Sequence, residues 1–267
     1  NLDTIVAEGT RDRGLVAVRR LAQSDLTMVE QARLAGATAK LLLAAGEYRT
    51  ALAEPLDGVS LPDVRDIESD EQADTSLSLV DSSYRADPLV DRAKLIAFAS
   101  EIVETERFER SIRIRAADIG LILVSNECEQ ALADRLFNAI QLGDGEIERE
   151  DACRKVAILY HTQFGERSRA LAIANFLYKK ALAGAVSTHT YHDAMRAGFA
   201  LRIVDDSRCH LDAMMLSFDI AKEMKQNWHA LSSAWHLSLA FLDLGEQMHL
   251  DMWMHRVREL FSEVGDS

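Results

Sequence analysis

The chain has 267 residues, 48% of them hydrophobic, with three prolines and thirteen glycines, enough apolar surface for a sizeable core or an extended array. A formal net charge of −13 argues against binding a phosphate backbone or an anionic membrane, and no uncharged apolar run reaches the ~18 residues of a membrane span. Cys128, Cys153 and Cys209 are an odd number without C-x-x-C spacing, which disfavours a disulfide framework or a zinc knuckle and makes a reducing cytoplasm the simplest setting. Ala, Leu, Arg and Glu dominate, favouring helix, and the lack of a long alternating β-branched stretch predicts no sheet. The start, Asn1-Leu2-Asp3-Thr4, lacks a signal-peptide pattern and a Met, so it reads as an excised domain or an incompletely ordered chain.

In chain order, residues 1–22 read as a short and a longer helix, the second holding Leu15, Val18 and Leu21 among Arg11, Arg13, Arg19 and Arg20. Ser24 or Asp25 can cap a helix over about 26–45 with an Ala35, Ala39, Leu42 stripe. Residues 57–75 carry seven acidic side chains against Arg65 alone. With Pro62, they predict an acidic loop or insertion over 57–87. Its plain role is a solvated linker; an acidic lid or docking segment is the sharper one. Asp87-Pro88 opens a helix to about Glu104 with Leu95, Ile96, Phe98 and Ile102 apolar. Helices near 106–124 and 127–142 follow, ended by Gly143-Asp144-Gly145.

Residues 145–264 are the most regular part and read as three copies of a helix-turn-helix unit. Their turns at Gly165, Asp205-Asp206 and Gly245 are 40 residues apart. A fixed period of this size marks a stacked array, because one helix pair cannot bury its apolar face alone. A 40-residue shift superposes Ala157, Ala197 and Leu237, then Ile158, Gly198 and Ser238, on the first helices. On the second helices it superposes Ile173, Ala213 and Trp253, then Ala181, Ala221 and Phe261. The first helix of the last pair has two apolar stripes, Trp228-Leu231-Trp235-Leu239-Leu242 and Ala230-Ala234-Leu237-Phe241-Leu244, which predicts burial on both sides. Its partner has one, Leu250-Met254-Val257-Phe261-Val264. Gly46, Ala86 and Asn126 continue the 40-residue spacing, so the period predicts six pairs through a single domain, 1–267.

Gly46-Glu47-Tyr48-Arg49-Thr50-Ala51-Leu52 resembles the centre of a tetratricopeptide repeat, with Gly-acidic-Tyr at the turn and Ala-Leu three residues on. Gly165-Glu166-Arg167-Ser168-Arg169-Ala170-Leu171 is a looser match, and Leu237, Ser238, Phe241 and Gly245 suit the pattern again. The chain departs from the family in its spacing, since the family repeat is about 34 residues, and in lacking the terminal proline apart from Pro55. The resemblance implies an all-α, right-handed superhelical array of antiparallel helix pairs. Longer degenerate repeats of this kind look like those of bacterial regulators, where the array senses a ligand or partner for an attached output domain.

In such arrays the first helices line a groove. Counting back from the turns, the groove positions hold Lys155, Leu159 and Thr162, then His192, Met195, Phe199 and Arg202, then Ser232, Trp235, Leu239 and Leu242. Lys155, His192, Phe199, Arg202 and Trp235 are the candidate partner-binding residues: the cations would pair with carboxylates and the rings would anchor apolar groups. The competing reading packs Phe199 and Trp235 into the core and leaves the cations solvated.

No phosphate loop, metalloprotease or nucleophile-elbow motif occurs. The spacing of His189, His192, His229 and the Cys209-His210 pair does not suit one metal site, adjacent helices being about 8–10 Å apart, so these histidines read as surface or end-cap residues. The expectation is therefore a non-catalytic module without cofactor or metal. It would bind a protein, a peptide or a small ligand, as the sensor of a larger cytoplasmic regulator. A helical accessory domain of an enzyme, and a structural oligomerisation array such as a homodimer, are the alternatives.

Overall fold

The computed structural model describes residues 61–86, 91–125, 129–204 and 208–265. The expected helices over 1–45, the Gly46–Leu52 stretch, Asp87-Pro88 and the Asp205-Asp206 turn lie outside the described residues. After a 3-10 turn at Val64–Asp66 come α1 (Asp70–Ala86), α2 (Arg92–Glu104), α3 (Arg110–Ser125), α4 (Gln130–Ile140) and a short α5 (Asp144–Arg149). Then follow α6 (Asp151–Gln163), α7 (Arg167–Ala183), α8 (Thr188–Val204), α9 (Cys209–Glu223), α10 (Asn227–Asp243) and α11 (Gln247–Gly265). No strand is present among the described residues, and consecutive helices pack against each other.

The period is visible in the helix starts. First helices begin at 70, 110, 151, 188 and 227, second helices at 92, 130, 167, 209 and 247, so the described residues hold five pairs, with α5 as an extra turn. The chain divides into two compact units, 1–156 and 157–267, with the boundary inside α6.

Within the first unit the structure corrects the reading of 57–87 as a loop: from Asp70 onward the stretch is α1. Ser69 Oγ accepts the Gln72 N–H at 3.3 Å, and Asp70 and Glu71 sit in the first turn, where carboxylates favour the helix dipole. Ala73, Leu77 and Val80, at helical spacing, are fully buried. The acidic composition hides this stripe, because the carboxylates lie on the other faces. Asp74 pairs with Arg115 of α3, and Asp70 accepts the Glu109 N–H at 2.9 Å. Arg113 on α3 donates to the last-turn carbonyls of two helices, Val103 at 2.7 Å and Ala139 at 2.9 Å, supplying donors that the ends of α2 and α4 lack internally.

In the second unit, Ile158, Ala174, Leu177, Ala197, Ala200, Leu201 and Ala213 form one buried cluster. Met214, Leu237, Trp253 and Leu260 belong to another, continuous over α8 to α11. Two expectations change here. The inward stripe of α10, Ala230, Ala234, Leu237 and Phe241, is buried, but of the other only Leu231 is, and Trp235 and Leu242 stand open. On α11 the buried residues are Trp253 and Leu260, while Phe261 is 68% exposed. The inward line of α11 keeps Leu250 and Val257 of the expected stripe and takes Trp253 and Leu260 in place of Phe261, with the Trp253 ring edge-on to Phe218 at 5.0 Å.

Small residues decide how closely the pairs approach. A Cβ on Gly198 of α8 would lie 2.6 Å from Met214 Cγ and 3.2 Å from the Met214 backbone nitrogen, so α8 and α9 touch there with no room for a side chain. At the α10–α11 turn Gly245 has φ +69°, a conformation that glycine takes without steric cost. Gly198→Leu is expected to destabilise the second unit by about 1–3 kcal/mol, the usual cost of overpacking, measured as a lower urea midpoint by tryptophan emission; an unchanged midpoint would contradict the close packing.

Candidate functional site

The second unit differs chemically from the first. It holds all eight histidines and all three tryptophans, and its 11 Lys and Arg nearly balance 13 Asp and Glu. The acidic excess therefore belongs to residues 1–156, and residues 157–267 are close to neutral.

Four of the five expected residues come together on α8 and α10, which run parallel and meet through a few side chains. His192 is exposed and its ring lies 5.6 Å from that of His229. Phe199 packs edge-on against His236 at 6.1 Å. Arg202 donates from Nε to Asp243 Oδ2 at 2.6 Å, leaving its side chain 20% exposed. The helical phases put His192, Phe199 and Ile203 of α8, and Trp235, Leu239 and Leu242 of α10, on the same side of this contact. Exposure there is 37% for Phe199, 46% for Ile203, 46% for Trp235 and 55% for Leu242. The competing reading, in which Phe199 and Trp235 are core, does not describe this surface.

Lys155 is not part of it. Its Nζ binds Asp118 Oδ2 of α3, within the first unit, where the Asp118 side chain is only 10% exposed. Lys155 therefore serves as the counter-charge of a buried carboxylate. Of the other groove positions, Thr162 is buried and Leu159, Met195, Ser232 and Leu239 are half-buried.

Tyr191, Ser217, Ser233 and His236, which the sequence reading passed over, complete the seam with His229, which it took as a surface or end-cap residue and which is half-buried. Tyr191 is buried and donates its hydroxyl to the His229 carbonyl at 3.1 Å, with its ring 4.4 Å from the His229 ring. Ser217 of α9 and Ser233 of α10 share a buried hydrogen bond of 2.9 Å. Burial holds His229 below the ordinary histidine value; burial first, and Arg202 second, do the same for His236. Ile203 was legible as one turn beyond Phe199. His236 had no such signal, since its importance comes from which residue of α8 it meets.

Elsewhere the chemistry is quiet. The Cys153 thiol donates to Glu150 Oε2 at 3.4 Å and is pushed up to about 11, chiefly by burial and then by that acceptor, the opposite of an activated nucleophile. Among the described residues no three His, Cys, Asp or Glu side chains converge as a metal would require, and no described helix is long and apolar enough to cross a membrane. No family model, no curated protein and no solved structure matches the chain; the geometry of its own residues carries the reading.

Lys155→Ala is expected to cost about 1–3 kcal/mol, because it strips the counter-charge from a buried carboxylate. The low end applies, as Arg115 still lies close enough to Asp118 to feel its charge. Urea unfolding checks this, and an unchanged free energy would return Lys155 to the solvated surface.

Proposed function

We propose that the protein is a non-catalytic interaction module whose α8–α10 face holds an apolar segment of a partner protein or peptide. The observation that carries this reading is the row of open apolar side chains, Phe199, Ile203, Trp235 and Leu242, on the first helices of two neighbouring pairs. Isolated exposed apolar residues are ordinary, but several on one side of two adjacent helices mark an interaction surface. Aromatic anchors of this kind dominate binding energy where a partner covers them. The bond between Arg202 and Asp243 sets one charge pair among the apolar groups, which suits an amphipathic helix laid along the face.

Five helix pairs among the described residues, at a spacing near 40 residues, support a degenerate tetratricopeptide-like array, and in the right-handed superhelix that such an array would form the face is part of the groove. The wider role that follows is the sensor or interaction part of a larger bacterial-type cytoplasmic regulator.

A second reading has its own observation. α11 exposes Met248 at 76%, Met252 at 54% and Phe261 at 68%, which favours self-association through the last helix. Light scattering decides it: a monomer at tens of micromolar, with no change on Phe261→Glu or Met252→Glu, removes this reading.

Arg202→Glu, which charge reasoning alone would choose as the test of the groove, is the wrong variant, because it sets a carboxylate against Asp243 and disturbs the α8–α10 contact itself. Trp235→Ala is the cleaner one. In a screen of amphipathic helical peptides by fluorescence anisotropy, a bound peptide is expected to lose at least about tenfold in affinity, roughly 1.4 kcal/mol, with helicity by circular dichroism unchanged. Peptides that bind Trp235→Ala and Phe199→Ala as tightly as the unaltered chain would place the site elsewhere.

A further inference from the structure

The seam between α8 and α10 is closed by titratable rings where aliphatic side chains would be ordinary. His229 packs against both Tyr191 and His192, at ring separations of 4.4 and 5.6 Å. Two turns further on, at about 1.5 Å of rise per residue, His236 meets Phe199 at 6.1 Å. Both imidazoles are half-buried, and His236 Nδ1 is fully enclosed without a hydrogen-bond partner. We propose that this seam is a pH-sensitive latch on the α8–α10 face, closed while His229 and His236 are neutral and released when mild acid protonates them.

A neutral imidazole packs as an aromatic ring. An imidazolium must offer both N–H groups to acceptors, and at His236 the Nδ1 proton would emerge into an enclosed space with no acceptor. The charged groups around the seam do not help it. From α8, His236 faces Arg202, and His229 faces Tyr191 and His192, a phenol and a second titratable imidazole. From α9, the neutral Ser217 hydrogen-bonds Ser233, and Met214 and Leu211 share the apolar cluster with α10. From α11, His249 stacks on Phe241 at 5.0 Å and shares Glu246 with Arg208. The carboxylate on α10 itself, Asp243, is already bound to Arg202.

The direction of the effect follows. Both groups hold their protons less tightly in the folded chain than the ordinary value near 6.5, so below that value the unfolded chain takes up protons that the folded chain refuses. Their contribution to stability is fully present above about pH 6.5 and is lost as pH falls through the folded values. Each histidine lowers the folding constant by up to about tenfold per pH unit over that window, and the two together by up to about a hundredfold. As control of a binding face, the latch rests on the interaction reading above; as a property of the seam, it does not.

The test uses the full chain and no partner. Trp228, Trp235 and Trp253 all lie in residues 157–267, so tryptophan emission during urea unfolding follows this unit alone. Between pH 7.5 and 5.5 the unaltered chain is expected to lose more of its folding constant than His229→Phe/His236→Phe, which keeps the rings and removes the titration, by up to about a hundredfold and only below about pH 6.5. Parallel pH profiles would overturn the latch. Should the double variant not fold, His229→Gln and His236→Gln each assign one imidazole resonance in the unaltered chain. Midpoints below 6.5 for both support the latch, and midpoints at or above 6.5 overturn it. Because no peptide enters either measurement, a flat pH profile leaves the binding role standing, and a failed peptide screen leaves the latch standing.

Discussion

On α3 the Asp118 carboxylate, nine-tenths buried, is held by Lys155 of α6, and the arrangement depends on bonds of this kind. One pair earlier, Asp74 of α1 binds Arg115 of α3; in the second unit, Arg202 of α8 binds Asp243 of α10. Each joins the first helix of one pair to the first helix of the next, across 37 to 41 residues. A helix pair has too little apolar surface to stand alone and must lean on its neighbour. The apolar contacts between first helices are non-directional, so a partly buried ion pair with one good geometry supplies the register that packing leaves loose.

The second constraint is closeness. Ala157, Ala174, Ala197, Ala213, Ala221 and Ala234 are buried almost completely, and Gly198 lets α8 meet the backbone of α9. Small residues at these positions bring helix axes together and commit the larger side chains to a few layers, where Leu177, Leu201, Met214, Leu237 and Leu260 fill the space. Leucines and aromatics that do not fall in those layers have nowhere inward to go. This is the physical origin of the open row on α8 and α10: the alanine-rich sides of the helices face the core, and Phe199, Ile203, Trp235 and Leu242 are left on the outside.

Rings then close the gap that remains between α8 and α10. Tyr191, His192, His229, Phe199 and His236 form edge-on contacts, which keep two parallel helices side by side without bulky aliphatic packing. The face and the seam are thus one construction, and the groups that would meet a partner stand next to imidazoles that burial holds below the ordinary histidine value.

Helical class, the turns at Gly165 and Gly245, and the spacing near 40 residues were determined by the sequence, because they depend on local propensity, on glycine and on apolar periodicity. The exposure of Phe199 and Trp235 was half legible: counting back from the turns found both residues, but a stripe of apolar residues does not say whether a neighbour covers it. Only the tertiary structure decided that Lys155 guards Asp118, that α1 begins inside the acidic stretch, and that Trp253 and Leu260, not Phe261, are buried. It also decided that Phe199 meets His236 at an offset of 37 residues. Alignment by turns counts loop residues, which differ from pair to pair, whereas contact between parallel helices depends on axial position alone, and axial position is decided by how the whole unit packs.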